Sequence, residues 1–197
     1  MEWLLAHAAL LQLVTSAITA LVWIVYLQTF LGGYRRQQRS MILITSGAGR
    51  GMNSHCLVTN LGLEPISILS IRIDVRDAQD GASAVVPDRN EMMIPEGNED
   101  ASATNQGPMA GGTMRDIGRF STLLDRAATE NPDIARMDEI LSVEITIVAA
   151  NASSITGAVR RFERSGGDSC FRAASIETRQ LRARSDRRRL RSVLEAA

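Results

Sequence analysis

The strongest hydrophobic pattern in the chain is an unbroken apolar run near its start. Residues 3–31 contain no Asp, Glu, Lys or Arg, which is a run of 29 residues. About 20 helical residues suffice to cross the ~30 Å hydrocarbon core of a bilayer. A signal peptide has a basic start and an apolar stretch of only about 7–15 residues. The pattern therefore predicts an uncleaved transmembrane helix over residues 1–34.

The charges on either side of this run predict its orientation. Glu2 is the only charged residue before it, whereas Arg35, Arg36 and Arg39 follow it closely. Lys and Arg collect on the cytoplasmic flanks of membrane helices. We therefore expect the amino terminus outside and the rest of the chain in the cytoplasm. All 22 basic residues are Arg, a usage typical of GC-rich genomes. The expected location is the bacterial cytoplasmic (inner) membrane.

Aromatic residues occur near both ends of the run. Trp and Tyr are enriched at membrane–water interfaces because their rings have an apolar body and a polar edge. Together with the arginines, they give a predicted membrane interface of seven residues: Trp3, Trp23, Tyr26, Tyr34, Arg35, Arg36 and Arg39.

One side of the predicted helix is polar. At about 100° per residue, Gln12, Thr15, Ser16 and Thr19 fall on the same face. Small hydroxyl side chains let helices approach closely, and Gln can hydrogen-bond across the contact. This face therefore predicts contact with a partner helix. The alternative is a plain anchor, in which Ser and Thr donate to carbonyl groups in the preceding turn of their own helix.

After residue 40 the apolar positions recur in short alternating runs. The runs are rich in Ile, Val and Leu and predict strands at 41–45, 55–59, 66–75 and 143–149. Between two of these strands, Asn60, Gly62 and Pro65 supply turn residues. Several short strands separated by such turns are typical of an antiparallel β-sandwich.

The stretch 56–62, Cys-Leu-Val-Thr-Asn-Leu-Gly, resembles the strand and turn of immunoglobulin-like modules. The resemblance covers seven residues and implies an immunoglobulin-like arrangement of the sandwich. The expected fold is thus a membrane-anchored all-β protein, α+β when its helices are counted, with the cytoplasmic sandwich domain over residues 35–174.

An insertion over residues 77–140 interrupts the predicted strands. Gly, Pro, Asn, Asp and Glu are abundant in 77–113, which predicts long loops. Apolar residues then recur at helical spacing in 115–128, including Ile117, Phe120 and Leu124, and predict an amphipathic helix. The insertion is acidic, because it holds 13 acidic residues and 5 Arg.

The carboxyl-terminal part is basic, with 11 Arg and 4 acidic residues in 160–191. Residues 175–197 are predicted to form an Arg-rich helix or tail. Anionic lipid attracts such segments with about 1 kcal/mol per Arg, and an acidic protein surface is the other expected partner. A tail that is only solvated is the remaining alternative. Nucleic acid is disfavoured because the tail has no aromatic residue for base stacking. The predicted contact residues are Arg182, Arg184, Arg187, Arg188, Arg189 and Arg191.

The chain carries no strong catalytic or cofactor motif. Gly47, Gly49 and Gly51 follow a strand, but their spacing fits neither a dinucleotide-binding fingerprint nor a P-loop. His55 and Cys56 are neighbours in a predicted strand and point to opposite faces, which prevents a Cys–His pair. Two His and two Cys are too few for a familiar structural zinc site. We therefore expect no enzyme activity, no cofactor and no metal.

These patterns predict a non-enzymatic, single-pass accessory or assembly subunit. We expect it to dock onto a larger integral membrane complex, or onto copies of itself, through its transmembrane helix and its sandwich. Two alternatives remain, both with the domain in the cytoplasm: a membrane-anchored sensor that binds a ligand at loop 77–113, and a membrane-anchored hydrolase. The hydrolase is disfavoured because the chain has no Gly-x-Ser-x-Gly nucleophile motif.

Overall fold

A computed structural model describes residues 7–37, 40–47, 49, 51–88, 104–135, 137, 140–152, 154–165 and 170–195. For residues 35–37, 165 and 170 it describes the backbone alone. Trp3, Arg39 and the side chains of Arg35 and Arg36, all predicted at the membrane interface, lie outside the described residues, as does much of the acidic loop. The chain divides into two units, Met1–Arg39 and Ser40–Ala197.

The described part of the first unit is a helix, α1, which spans Ala8–Gln37. Its apolar part, Ala8–Tyr34, has 27 residues, and its side chains are exposed throughout. No Asp, Glu, Lys or Arg occurs over that length. The predicted apolar helix is therefore confirmed, and it is long enough to cross a membrane once.

The second unit is an α+β domain with two antiparallel sheets. The strands of sheet A are β1 (Ile42–Gly47), β2 (His55–Asn60) and β6 (Met114–Arg119). Those of sheet B are β3 (Ile66–Arg76), β4 (Gly81–Val86), β5 (Gly107–Met109), β7 (Ser142–Ala150), β8 (Ile155–Ser165), β9 (Cys170–Ala173) and β10 (Arg179–Leu181). Three helices belong to the domain: α2 (Phe120–Glu130), α3 (Pro132–Ala135) and α4 (Arg184–Glu195).

All neighbouring strands in the two sheets run antiparallel. Sheet A is ordered β1-β2-β6, and sheet B is ordered β10-β8-β7-β3-β4, with β5 beside β3 and β9 beside β8. Neighbours that follow one another along the chain, such as β3 and β4 or β7 and β8, form hairpins with short turns. The four strands predicted from alternation coincide with β1, β2, β3 and β7.

The two sheets share one hydrophobic core. Ile44 and Val58 of sheet A are fully buried in it, as are Ile73, Ile145 and Phe162 of sheet B. Buried and outward residues alternate along β3, as its sequence predicts. The alternation shifts by one residue next to a bulge in the pairing of β3 with β7, which follows from the extra residue that a bulge inserts.

The central insertion differs from its predicted structure in three places. Gly81–Val86 and Gly107–Met109, expected in loops, pair with opposite ends of β3 as β4 and β5. The helix expected over 115–128 begins only at Phe120, because Met114–Arg119 pairs with β2. Ile117 is thus buried from a strand, although its spacing also fits a helix.

The carboxyl-terminal segment is folded onto sheet B. Arg179–Leu181 pairs with β8, and α4 follows it across the sheet face that points away from the main core. Leu190 and Val193 of α4 are buried there against Val148 and Val159. The segment predicted as an Arg-rich helix or tail therefore contributes both a strand and a helix to the domain.

The side chains of Arg160, Thr178 and Gln180 close the outer edge of β1. The Gln180 amide accepts from the Ile42 N–H at 3.1 Å and donates to the Ile42 carbonyl at 2.6 Å, as a neighbouring strand would. The Thr178 hydroxyl accepts from the Ile44 N–H at 3.1 Å. The buried Arg160 guanidinium donates to the Ile44 carbonyl. The edge is therefore unavailable for pairing with another chain.

Candidate functional site

The polar face of α1 contains two kinds of side chain. The Thr15 hydroxyl donates to the Leu11 carbonyl at 2.9 Å, and the Thr19 hydroxyl donates to the Thr15 carbonyl at 2.8 Å. These two threonines are satisfied within their own helix. Gln12, by contrast, has no hydrogen-bond partner in the part of the chain that the structure describes.

Aromatic side chains line the second half of α1. Trp23 and Tyr26 meet edge to face with ring centroids 6.1 Å apart, and Phe30 stacks on Tyr34 at 6.5 Å. All four rings are exposed along the helix. The placement of Trp23, Tyr26 and Tyr34 at a membrane interface stays a prediction.

The predicted tail arginines fall into two groups. Arg182 donates to the Ser40 carbonyl at 2.5 Å, and Arg189 lines a cleft on sheet B. The other four project from α4 into solvent: Arg184, Arg187, Arg188 and Arg191. The Asp186 carboxylate accepts from the Ala183 N–H at 3.0 Å and caps the start of α4, as in a capping box.

A mixed-charge cleft of about 620 Å³ lies on the outer face of sheet B. Asp74 of β3 and Glu144 of β7 occupy paired positions, and Arg161 of β8 pairs with Glu144. Arg72 forms an ion pair with Asp74 at 2.8 Å and donates to the Ser83 hydroxyl at 3.0 Å. Alternating charges balance the two neighbouring carboxylates, so the cleft suits a polar or charged ligand.

The β3–β4 turn forms one wall of this cleft. The backbone N–H groups of Asp80 and Gln79 donate to the Asp77 carboxylate at 2.6 and 2.7 Å. These bonds hold the pKa of the Asp77 carboxyl below its ordinary value. The turn is thereby fixed with an ionised carboxylate at neutral pH.

A smaller cleft contains His55. The His55 Nδ1 lies 2.5 Å from an Asp116 carboxylate oxygen, and the Arg119 Nε donates to the His55 Nε2 at 3.4 Å. Thr122 and Arg126 of α2 also line this space of about 260 Å³. Both imidazole nitrogens therefore have hydrogen-bond partners among the described residues.

Cys56 lies on the opposite face of β2 from His55. Its side chain is fully buried, whereas His55 is half-buried at the surface. Burial raises the pKa of the Cys56 thiol, and the Asp116 carboxylate raises it further against the lowering effect of Arg160. A thiol kept protonated and out of solvent is a poor nucleophile.

The raised pKa of Cys56 predicts a loss of stability at alkaline pH. An unfolded thiol ionises near its ordinary pKa of about 8.5, while the buried thiol stays protonated, so unfolding releases a proton above that pH. Between about pH 8.5 and 9.5 the free energy of unfolding should fall by about 1 kcal/mol from this group. Urea titrations of the full chain in mild detergent, followed by circular dichroism, measure the fall. Cys56→Ala should reduce it, and an equal fall in that variant would contradict the assignment.

Within the described ranges, no group of three or more His, Cys, Asp or Glu side chains is close enough to hold a metal ion.

The mixed-charge cleft and the His55 cleft were both missed by sequence reasoning. The sequence signal for the mixed-charge cleft is the set of outward-facing charged residues on β3 and β7. Only the pairing of these strands brings the residues together.

Comparisons with known families, with curated proteins and with solved structures each found no match to this chain. The class of protein therefore follows from the fold alone. An apolar amino-terminal helix precedes an α+β domain of antiparallel sheets, which is consistent with a single-pass membrane protein.

Proposed function

We propose that the protein is a non-enzymatic accessory or assembly subunit of a larger integral membrane complex. In this proposal α1 crosses the bacterial inner membrane once and docks against a partner helix. The domain lies in the cytoplasm, since Arg35, Arg36 and Arg39 follow the span. The two sheets form an immunoglobulin-like sandwich that contacts cytoplasmic parts of the partner.

The observation that carries the proposal is the unpartnered amide of Gln12 on an exposed apolar helix. Burying an amide in hydrocarbon without a hydrogen bond costs about 2–7 kcal/mol. Thr15 and Thr19 avoid this cost through bonds within the helix. Gln12 would avoid it against a second helix, and the hydroxyl and alanine side chains beside it permit the close approach that such a bond needs.

We also infer that the α+β domain binds a partner and does not catalyse a reaction. The His55 ring is held between Asp116 and Arg119, and Cys56 is buried with a raised pKa. A nucleophile and its base must lie within hydrogen-bonding reach of each other, and these two residues face opposite sides of β2. The hydrolase alternative thus gains no support from either residue.

A membrane-anchored ligand sensor is the second candidate. The mixed-charge cleft favours it, because about 620 Å³ is the size of a small-molecule site and Asp77 in the neighbouring turn is ionised. The cleft is polar, whereas most small-molecule sites are mainly apolar, so we rank this candidate below the accessory subunit.

The proposed docking predicts that the polar face of α1 is required for association. Gln12→Leu, Ser16→Leu and Thr19→Leu together should preserve membrane insertion and abolish co-purification of the partner. Interhelical hydrogen bonds in membranes contribute only about 0.6 kcal/mol each, so the triple variant removes close packing as well. The measurement is quantitative mass spectrometry of the tagged full chain, purified in mild detergent from its native cells.

The matched control places three leucines on the opposite face of α1. Val14→Leu, Ala17→Leu and Ile24→Leu should leave the co-purified membrane proteins unchanged. If the polar-face variant retains the same membrane proteins as the parent, α1 is only an anchor. If both triple variants lose them, the loss does not come from the polar face, and the proposed docking is wrong.

A further inference from the structure

Two turns of the α+β domain meet beside the residues with which the domain begins. Residues 61–65 connect β2 to β3, and residues 110–113 connect β5 to β6. The Leu61 N–H donates to the Met41 carbonyl at 2.7 Å, so the first turn lies beside the first residues of the domain.

A buried asparagine fixes both turns. The Asn60 side chain is fully buried, and its amide nitrogen donates to the carbonyls of Glu64, Met109 and Ala110 at 2.9–3.3 Å. Its oxygen accepts from the Gly62 N–H at 3.0 Å. One side chain therefore binds the backbone of each turn.

The turns also touch through a glycine. A Cβ at Gly111 would lie 2.6 Å from the carbonyl oxygens of Gly62 and Leu63, which leaves no room for a side chain. The two backbones thus pack directly on each other. The side chains that the turns expose are therefore carried by backbone that is held in place by hydrogen bonds and close packing.

The first turn and the neighbouring Met41 present large apolar side chains. Leu63 is 73% exposed, Leu61 is 51% exposed, and Met41 beside them is 46% exposed. We call these three side chains the apolar rim. Large apolar side chains gathered at one end of a domain, on backbone that is fixed, mark an interaction surface more often than scattered ones do.

The chain between α1 and this rim is short. Met41 follows Gln37, the last residue of α1, by four residues. A connection of this length gives the domain little freedom to leave the membrane that α1 is proposed to cross, since an extended chain covers at most about 3.6 Å per residue. The headgroup region on each side of a bilayer is itself roughly 5–8 Å thick.

We propose that Met41, Leu61 and Leu63 form a lipid-contacting rim that rests in the headgroup–acyl boundary of the bilayer holding α1. The inference rests on the membrane anchoring in the proposed function. Apolar side chains at this boundary enter about 5–10 Å, which is a depth that exposed leucines on a turn can reach. Arg35, Arg36 and Arg39 stand between the span and the rim in sequence and match anionic headgroups.

The test uses the full chain in vesicles of phosphatidylethanolamine and phosphatidylglycerol. Cys170 is replaced with Ser, and a Leu63→Cys variant is labelled with the fluorophore NBD. Cys56 is kept because it is buried, and the parent without an added cysteine reports any stray labelling. The matched control is Ile176→Cys, which is 95% exposed and lies in the segment between β9 and β10.

The label at position 63 should emit at shorter wavelength than the label at 176 and lose intensity with phospholipids that carry a nitroxide near the headgroup. The label at 176 should do neither. If the label at position 63 emits at the same wavelength as the label at 176, the rim lies in water and the inference is wrong. A blue shift at 63 that nitroxide lipid does not quench would mean that a protein, such as a second copy, covers the rim, and would also overturn it.

Flotation of the vesicles separates this inference from the proposed function. If the chain floats with the vesicles but fails the quenching test, only the proposal of a lipid-contacting rim is wrong. If the chain does not float, the proposed membrane anchoring is wrong, and the inference fails with it. Blue-shifted, quenched emission at 63 in a floating chain supports both.

Discussion

Replacing Arg160 with Met should lower the free energy of unfolding of the α+β domain by at least about 3 kcal/mol, since hydrogen bonds to a charged group contribute about 1.5–3 kcal/mol each and three are lost. Arg160 is 9% exposed, and its guanidinium donates to the Ile44 carbonyl at 2.5 Å. Its other terminal nitrogen donates to the carbonyls of Ser175 and Ile176 at 2.9 and 3.0 Å. Met fills most of the volume but satisfies none of these three oxygens.

The stability change can be measured through Cys56, whose thiol is fully buried and becomes reactive when the domain unfolds. The full chain in mild detergent, with Cys170→Ser, is titrated with urea and pulsed with a thiol reagent. Arg160→Met should move the labelling midpoint to lower urea. Equal midpoints for the variant and its parent would show that the three carbonyls do not depend on Arg160.

The next residue along β8 supplies the control. Arg161 points to the opposite side of the strand, is exposed, and pairs with Glu163 at 3.3 Å. Exposed ion pairs contribute about 0–1 kcal/mol, so Arg161→Met should shift the midpoint little. The contrast separates loss of a buried hydrogen-bonding group from loss of a charge.

Arg160 also illustrates what the sequence could not predict. The alternation of apolar and polar residues is a local property, and it located β1, β2, β3 and β7 correctly. The partners of Arg160 lie 116 and 15–16 residues away, at Ile44 and at Ser175 and Ile176. No local pattern indicates that a charged residue in the middle of β8 is buried and hydrogen-bonded to backbone.

The central insertion was misread for a related reason. Gly81–Val86 is short and contains small residues, so its composition resembles a loop, and pairing with β3 makes it a strand. Ile117, Phe120 and Leu124 fit helical spacing, yet Ile117 belongs to β6. Gly118 has a φ of 118°, a conformation that glycine adopts without strain, and it separates the strand residue from the helix.

The two candidate sites also differ in whether the sequence could predict them. The polar face of α1 follows from helical periodicity within eight residues, so sequence alone defines its members, and its role stays a prediction. The mixed-charge cleft depends on Asp74 and Glu144 occupying paired positions on strands about 70 residues apart in sequence. Such a register is a tertiary property, which is why the cleft appears only in the folded domain.

Replacing Asn60 with Ala should lower the free energy of unfolding by about 3 kcal/mol, because it leaves several buried backbone groups unpaired at about 1–3 kcal/mol each. The groups include the Met109 carbonyl and the Gly62 N–H, both buried. The same urea-dependent labelling of Cys56 measures the change. A shift of less than about 1 kcal/mol would mean that the two turns hold together without this side chain.

Asn60→Asp distinguishes hydrogen bonding from volume, since Asp has nearly the same size. It keeps an oxygen for the Gly62 N–H but turns a second oxygen towards the carbonyls of Glu64, Met109 and Ala110. The folded state therefore disfavours the ionised carboxyl, and its pKa should rise above the unfolded value of about 3.9. The variant should be at least as unstable as Asn60→Ala at pH 7, and its deficit should shrink as the pH falls towards that value. A variant that matches the parent at pH 7 would show that packing, and not the amide donor, fixes the turns that carry Leu61 and Leu63.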